Sequence, residues 1–199
     1  MQYVIRPQNQ TDAELHDYRG YAGTIAGGVL KPGDDVVALP SGFRSTIRSI
    51  DTADGPVDEA FAPMSVTITL DDDIDISRGD MLARPHNQPH VGQDVDAMVC
   101  WLTEQSPLRP GGKYFMKHTT RTVKAVVKDL QYLLDINTLH RDEAAERLAL
   151  NEIGRIRLRT QAPLFYDEYR RNRDTGSFVL IDEVTNNTVA AGMLLAPPA

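Results

Sequence analysis

Short runs of alternating apolar and polar residues, closed by glycine and proline turns, recur through this chain and set its fold class. From Ser65 to Leu70, Val66, Ile68 and Leu70 fall on one face and Ser65, Thr67 and Thr69 on the other. A period of two is the mark of a half-buried strand. Arg44 to Ile50 alternates similarly through Ile47, and Asp35 to Leu39 is a short β-branched run. The latter follows Lys31-Pro32-Gly33-Asp34, where proline presets φ and glycine tolerates positive φ. Asp54-Gly55-Pro56 and Arg78-Gly79-Asp80 are two further turns. Short strands punctuated this closely predict a barrel or sandwich, and closing a sheet into a barrel removes its vulnerable edges.

Pro85-His86-Asn87-Gln88-Pro89-His90 interrupts the pattern and reads as a linker. The 199 residues suffice for two domains of about 100 each, so the expected boundary separates residues 1–88 from 89–199. Beyond it, Asp96 to Leu102 is nearly all apolar and Lys113 to Thr120 is amphipathic. Gly154 to Thr160 alternates strictly, with Ile156 and Leu158 opposite Arg155, Arg157 and Arg159. Ser177 to Ile181 and Thr188 to Leu195 flank Asn186-Asn187, a hairpin signal. Thr122 to Asp135 gives two answers: its valines and leucines stand at helical spacing, whereas its β-branched first half favours a strand. Asp142 to Leu150 is expected to form a short helix capped by Asp142. The tail Ala196-Pro197-Pro198-Ala199 reads as the start of a linker.

Composition narrows the function. With 41% apolar and 25% charged residues the chain can build real cores without metal or disulfide staples. Its single cysteine, Cys100, lies between apolar neighbours, which predicts burial and fits a reducing, cytoplasmic compartment. No run approaches the 18 or so apolar residues of a membrane helix, and Met1 to Pro7 holds no apolar core of signal-peptide length. A net charge of −7 argues against nucleic acid and anionic membranes as partners.

Most catalytic constellations fail on their own chemistry. Gly111-Gly112-Lys113-Tyr114 has Pro107 where a phosphate loop needs glycine, and Tyr114 where it needs a magnesium-binding hydroxyl. Gly20, Gly23, Gly27 and Gly28 do not spell a dinucleotide fingerprint and read as a tight strand and turn. Asp71-Asp72-Asp73-Ile74-Asp75 has Ile76 where a calcium loop turns on glycine. His86 and His90 are spaced as zinc ligands on a helix, but Pro85 and Pro89 oppose that helix and no third ligand is evident. His16, His118 and His140 stand alone, and no nucleophile elbow is present. No catalytic, cofactor or metal residues are therefore assigned.

Two basic features remain as candidate partner contacts: Arg155, Arg157 and Arg159 on one strand face, and Arg170, Arg171 and Arg173 on a loop before the last hairpin. Either set is a solvated face or a contact for an acidic partner or anionic ligand.

Residues 18–40, with Arg19-Gly20, Gly23 and then Leu30-Lys31-Pro32-Gly33-Asp34, resemble the second domain of translation-factor-type GTPases. Sharper stretches resemble the GTPase subunit of bacterial sulfate adenylyltransferase (ATP sulfurylase) over nearly the whole chain. They include Gln2-Tyr3-Val4-Ile5-Arg6-Pro7, Ile74-Asp75-Ile76-Ser77-Arg78-Gly79-Asp80, His118-Thr119-Thr120-Arg121-Thr122, Asp135-Ile136-Asn137-Thr138-Leu139-His140 and Asn172-Arg173-Asp174-Thr175-Gly176-Ser177-Phe178. The resemblance implies an all-β chain of two consecutive β-barrels, like domains two and three of those GTPases, with strand at Thr119 to Val127. It implies a GTPase domain, with its GTP and magnesium, ahead of these residues, and in some bacteria an adenylylsulfate kinase domain after them. The whole enzyme would couple GTP hydrolysis to adenylyl transfer from ATP to sulfate. The barrels would dock the small adenylyl-transferring subunit without catalysing anything themselves. A tRNA-contacting module of a translation factor and a self-associating structural module are the alternatives.

Overall fold

The computed structural model describes residues 1–7 and 17–197; His16 and the last two tail residues lie outside them. The chain divides into two compact units, Met1–Gln88 and Pro89–Ala199.

In the first unit the strands are β1 (Tyr3–Ile5), β2 (Gly20–Thr24), β3 (Val29–Leu30), β4 (Asp35–Leu39), β5 (Arg44–Thr52), β6 (Gly55–Pro56), β7 (Ala60–Phe61), β8 (Ser65–Leu70) and β9 (Met81–Ala83). They pair antiparallel in the order β1-β2-β8-β5-β4-β9, with β6 on β5 and β3 on β7 as a separate ribbon. The turn before β4 forms as expected: Gly33 has φ +89°, and Lys31 N–H donates to Asp34 Oδ2 at 2.8 Å. Alternation in β5 slips after Ile47, where Arg48 bulges out and the next inward residue is Ile50. Tyr21, Val36, Ile47, Ile50, Val66, Ile68 and Leu70 share one core. The Tyr21 hydroxyl donates to the Ile74 carbonyl at 2.5 Å, so its burial leaves no polar atom unmatched.

The second unit comprises β10 (His90–Trp101), β11 (Lys113–His118), β12 (Arg121–Leu134), β13 (Arg141–Asp142), β14 (Ile153–Tyr166), a one-turn helix α1 (Arg173–Gly176), β15 (Ser177–Asp182) and β16 (Thr188–Leu194). The antiparallel order β11-β15-β16-β10-β14-β12 returns to β11, so six strands close into a barrel, with β13 hanging on β12. Inward positions fill it with Val95, Ala97, Val99, Trp101, Met116, Ile156, Leu158 and Leu180. Trp101 packs edge-on against Tyr114 at 5.6 Å, and its Nε1 donates to the Ser106 carbonyl at 2.7 Å.

The ambiguous Thr122 to Asp135 segment is strand as far as Leu134. Bulges at Lys128 and Gln131 each add a residue, so the inward series runs Val123, Ala125, Val127, Leu130 and Leu133. Spacings of two, two, three and three imitate a helix. The expectation of strand at Thr119 to Val127 is corrected at its start: Thr119 and Thr120 form the tight turn between His118 and Arg121, with Thr119 at φ 51°, outside the strand region.

Two further expectations are corrected. Asp142 to Leu150 is not helical: after β13 the chain turns and runs extended, and Leu148 pairs with Leu108 through two backbone hydrogen bonds of 2.9 and 3.0 Å. A nine-residue helix is marginal by itself, and burying Leu148 in the barrel core outweighs it. Gly154 makes room for this strap, because a Cβ there would lie 2.8 Å from both Leu148 Cδ2 and the Tyr132 carbonyl oxygen. Cys100 is half-buried rather than buried, since Val99 and Trp101 take the inward positions on either side of it.

Candidate functional site

Strand β14 sends Ile156, Leu158 and Thr160 into the barrel, which forces Arg155, Arg157 and Arg159 together onto its outer face. The neighbouring strand β10 sets Asp96 opposite Arg157 and Asp94 opposite Arg159. Arg157 holds Asp96 with two hydrogen bonds, Nε to Oδ1 at 2.8 Å and Nη2 to Oδ2 at 3.3 Å. Arg155 Nη2 and Gln131 Nε2 reach the same Oδ2 at 2.8 and 3.2 Å. Arg159 pairs with Asp94.

Asp96 is only 1% exposed beneath these side chains. Burial pushes its carboxyl pKa up, but the hydrogen bonds from Arg157, Arg155 and Gln131 outweigh burial and hold it below the usual carboxylate range. The carboxylate therefore stays charged inside the wall. The three arginine side chains are 34%, 43% and 48% exposed along the ladder, and Arg155 Nε is buried without a hydrogen-bond partner among the described residues.

The sequence brought these three arginines to one face correctly but missed what they face. Asp94 and Asp96 share the outward phase of β10 with Met98 and Cys100. An acidic residue between Val95 and Ala97 was the available signal.

The other basic set sits on the connection from β14 to β15. Arg170, Arg171 and Arg173 are all exposed. Asn172 caps α1, its Oδ1 accepting from the N–H groups of Asp174 and Thr175 at 3.0 and 3.3 Å. Arg173 stacks over the Tyr169 ring at 5.9 Å. Thr175, at the far end of that turn, is buried and accepts through its carbonyl from His118 Nε2 at 2.7 Å. Burial pushes the His118 imidazole pKa down against the raising effect of that bond, which keeps the ring neutral.

The rejected constellations sit as follows. Gly111 and Gly112 make a turn into β11, with Tyr114 buried beside Trp101. His90 opens β10 with its ring 5.8 Å from Tyr166. The acidic stretch is tied to basic partners, Asp71 to Arg48 and both Asp73 and Asp75 to Arg19. Among the described residues no group of three His, Cys, Asp or Glu side chains could hold a metal, and no helix is long and apolar enough to cross a membrane.

Comparison with known proteins agrees with this architecture. Residues 94–195 match the GTP-eEF1A C-terminal domain-like family. The bifunctional enzyme CysN/CysC of Mycobacterium tuberculosis (strain H37Rv) is 58% identical over 195 residues, covering 98% of this chain and 31% of that protein. Sulfate adenylyltransferase subunit 1 of Bacteroides fragilis (strain YCH46) is 44% identical over 98% of this chain and 39% of its own length. The chain thus spans well under half of either relative. A crystal structure of Sup35 complexed with GDP superposes with a TM-score of 0.81 at 22% identity, over 91% of this chain and 44% of that one. That likeness is one of fold.

Proposed function

This chain belongs to the GTP-eEF1A C-terminal domain-like family through residues 94–195, and from that premise we propose that it is the barrel portion of a sulfate adenylyltransferase large subunit. The observation carrying the proposal is similarity over 98% of the chain to proteins named for that enzyme subunit and for its bifunctional form. In the whole protein, GTP and magnesium bind a GTPase domain outside these residues, and hydrolysis is coupled to formation of adenylylsulfate and pyrophosphate from ATP and sulfate. The barrels supply no catalytic group. They dock the small adenylyl-transferring subunit and give the GTPase domain a firm body to move against. In the bifunctional form an adenylylsulfate kinase domain joins the same polypeptide.

Both arginine sets enter as contacts. Arg170, Arg171 and Arg173 act from an exposed loop, and Arg155, Arg157 and Arg159 through the guanidinium edges left open by Asp94 and Asp96. The test is light scattering on size-exclusion fractions of this chain mixed with the purified small subunit. A one-to-one complex at micromolar concentration is expected. Separate elution of the two proteins would assign the docking surface to the GTPase domain and reduce the barrels to a spacer.

A further inference from the structure

One face of the second barrel combines two features that folding alone does not require. The first is the tip of the β12–β13 hairpin. Asp135 fastens it, its Oδ1 accepting from the N–H groups of Asn137 and Thr138 at 2.8 and 3.2 Å. The Leu139 N–H donates to the Asp135 carbonyl at 2.8 Å, and the Asp135 N–H donates to the His140 carbonyl at 3.0 Å. This tied turn displays Ile136 at 62% exposure and Leu139 at 72%. Leu139 has φ 58°, a left-handed conformation that a bulky side chain rarely takes and that Asn or Gly would adopt with less strain. A turn made only to reverse the chain would carry polar residues here.

The second feature lies at the base of that hairpin, in a shallow groove of about 550 Å³. Leu133, Ala144, Ala145 and Ala149 give it an apolar lining, Arg109 and Arg147 are its cations, and Glu146 and Glu152 are its carboxylates. The Leu108–Leu148 bridge sets the register: both leucines point into the core, so Arg109 and Arg147 stand opposite each other on the outer side. Like charges directly opposed across a bridge are unfavourable. Neither guanidinium has a hydrogen-bond or ion-pair partner among the described residues. Glu152 is committed instead to the Ala149 N–H at 2.6 Å. The contrast with Arg155, Arg157 and Arg159, all held by aspartates, is direct.

We infer that this face is the anchor for the protein partner: Arg109 and Arg147 together receive a carboxylate of the partner, and Leu139 with Ile136 enters an apolar recess beside it. The inference rests on the docking role proposed above and names its surface. Paired guanidinium forks suit a carboxylate, and a rigid apolar knob binds without paying to be ordered. A protein fits better than a nucleic acid. Glu143 and Glu146, exposed on the same strap, leave this face without the cationic excess that a polyphosphate needs, whereas one carboxylate needs only the two forks, and Ile and Leu offer no ring on which a base could stack.

The experiment is calorimetric titration of this chain with the purified small subunit at two salt concentrations. It compares wild type, the double variant Arg109→Glu/Arg147→Glu, and Leu139→Asn. Asparagine accepts the left-handed backbone, so Leu139→Asn keeps or raises the melting temperature while deleting the knob. Each variant is expected to weaken the complex about tenfold or more, as removal of an interface anchor does. The double variant is also expected to flatten the salt dependence. A wild-type complex that both variants match in affinity overturns this surface and leaves the docking role standing. Absence of any wild-type complex overturns the docking role, and this surface with it.

Discussion

Replacing Arg157 by Met tests whether the ladder on the barrel wall stabilises the second unit. Methionine keeps much of the aliphatic stem and removes the guanidinium that makes two hydrogen bonds to Asp96. Stripping one partner from a buried ion pair costs about 3–5 kcal/mol, because the other charge is left uncompensated. Here Arg157 is 43% exposed, and Asp96 keeps Arg155 and Gln131. Solvent screening and the remaining partners bring the expected loss to about 2 kcal/mol. Trp101 is the chain's single tryptophan and lies fully buried in the second barrel, so its fluorescence follows that unit alone during urea unfolding. With a slope of about 2 kcal/mol/M, the midpoint should fall by about 1 M at neutral pH. The pH dependence supplies a second reading. The Asp96 carboxyl is depressed in the folded state, so its contribution is present above the unfolded carboxylate pKa of about 3.9 and is lost as pH falls through the lower folded value. The gap between wild type and variant should be full at neutral pH and close as acid protonates Asp96, in the variant before the wild type. A gap under about 0.5 kcal/mol at neutral pH would refute the reasoning. So would a gap that closes before the carboxylate range is reached.

Three further outcomes are expected. At Gly192 a Cβ would lie 2.2 Å from Phe178 Cζ, so Gly192→Ala should cost about 1–3 kcal/mol by Trp101-monitored urea unfolding. His118 is buried with its pKa lowered, so the unfolded chain takes up the proton first as pH falls below about 6.5. Wild type should therefore lose stability across that range relative to His118→Gln, and parallel pH profiles would show that burial does not suppress the charge. Reversal of Arg170, Arg171 and Arg173 to Glu should weaken the complex with the small subunit at low salt, and unchanged calorimetric affinity would remove this loop from the interface.

The strands that alternate cleanly were readable from sequence because one face of each is apolar core and the other is polar, whether solvated or matched to polar neighbours as Thr69 is to Ser49. Ser65–Leu70 and the arginine strand are of this kind. β12 resisted because a bulge residue shifts the phase without announcing itself, and two of them imitate helical spacing. Asp142 to Leu150 misled for a different reason. Asp142 does cap locally, accepting from the Ala144 N–H at 2.9 Å, but a distant partner, Leu108, claims the backbone that a helix would have used. The three arginines of β14 were visible as a face, whereas their pairing depended on strand order, which no local pattern encodes. Arg109 and Arg147 lie 38 positions apart and become neighbours only through the Leu108–Leu148 bridge.

Closure of the second barrel also limits how its length can drift in evolution. In an open sheet, a strand that gains or loses a residue can slide and release the misfit at the edge. A ring of six mutually paired strands has no such exit, and a slip at one interface must be matched around the circumference or every inward side chain on that strand turns outward. The bulges at Lys128 and Gln131 are exceptions, since deleting either restores regular pairing with Asp129 still opposite Arg157 and Tyr132 still opposite Arg155. Within β12, insertions and deletions among homologous chains should therefore gather at these two positions, while the hairpin tips absorb the rest.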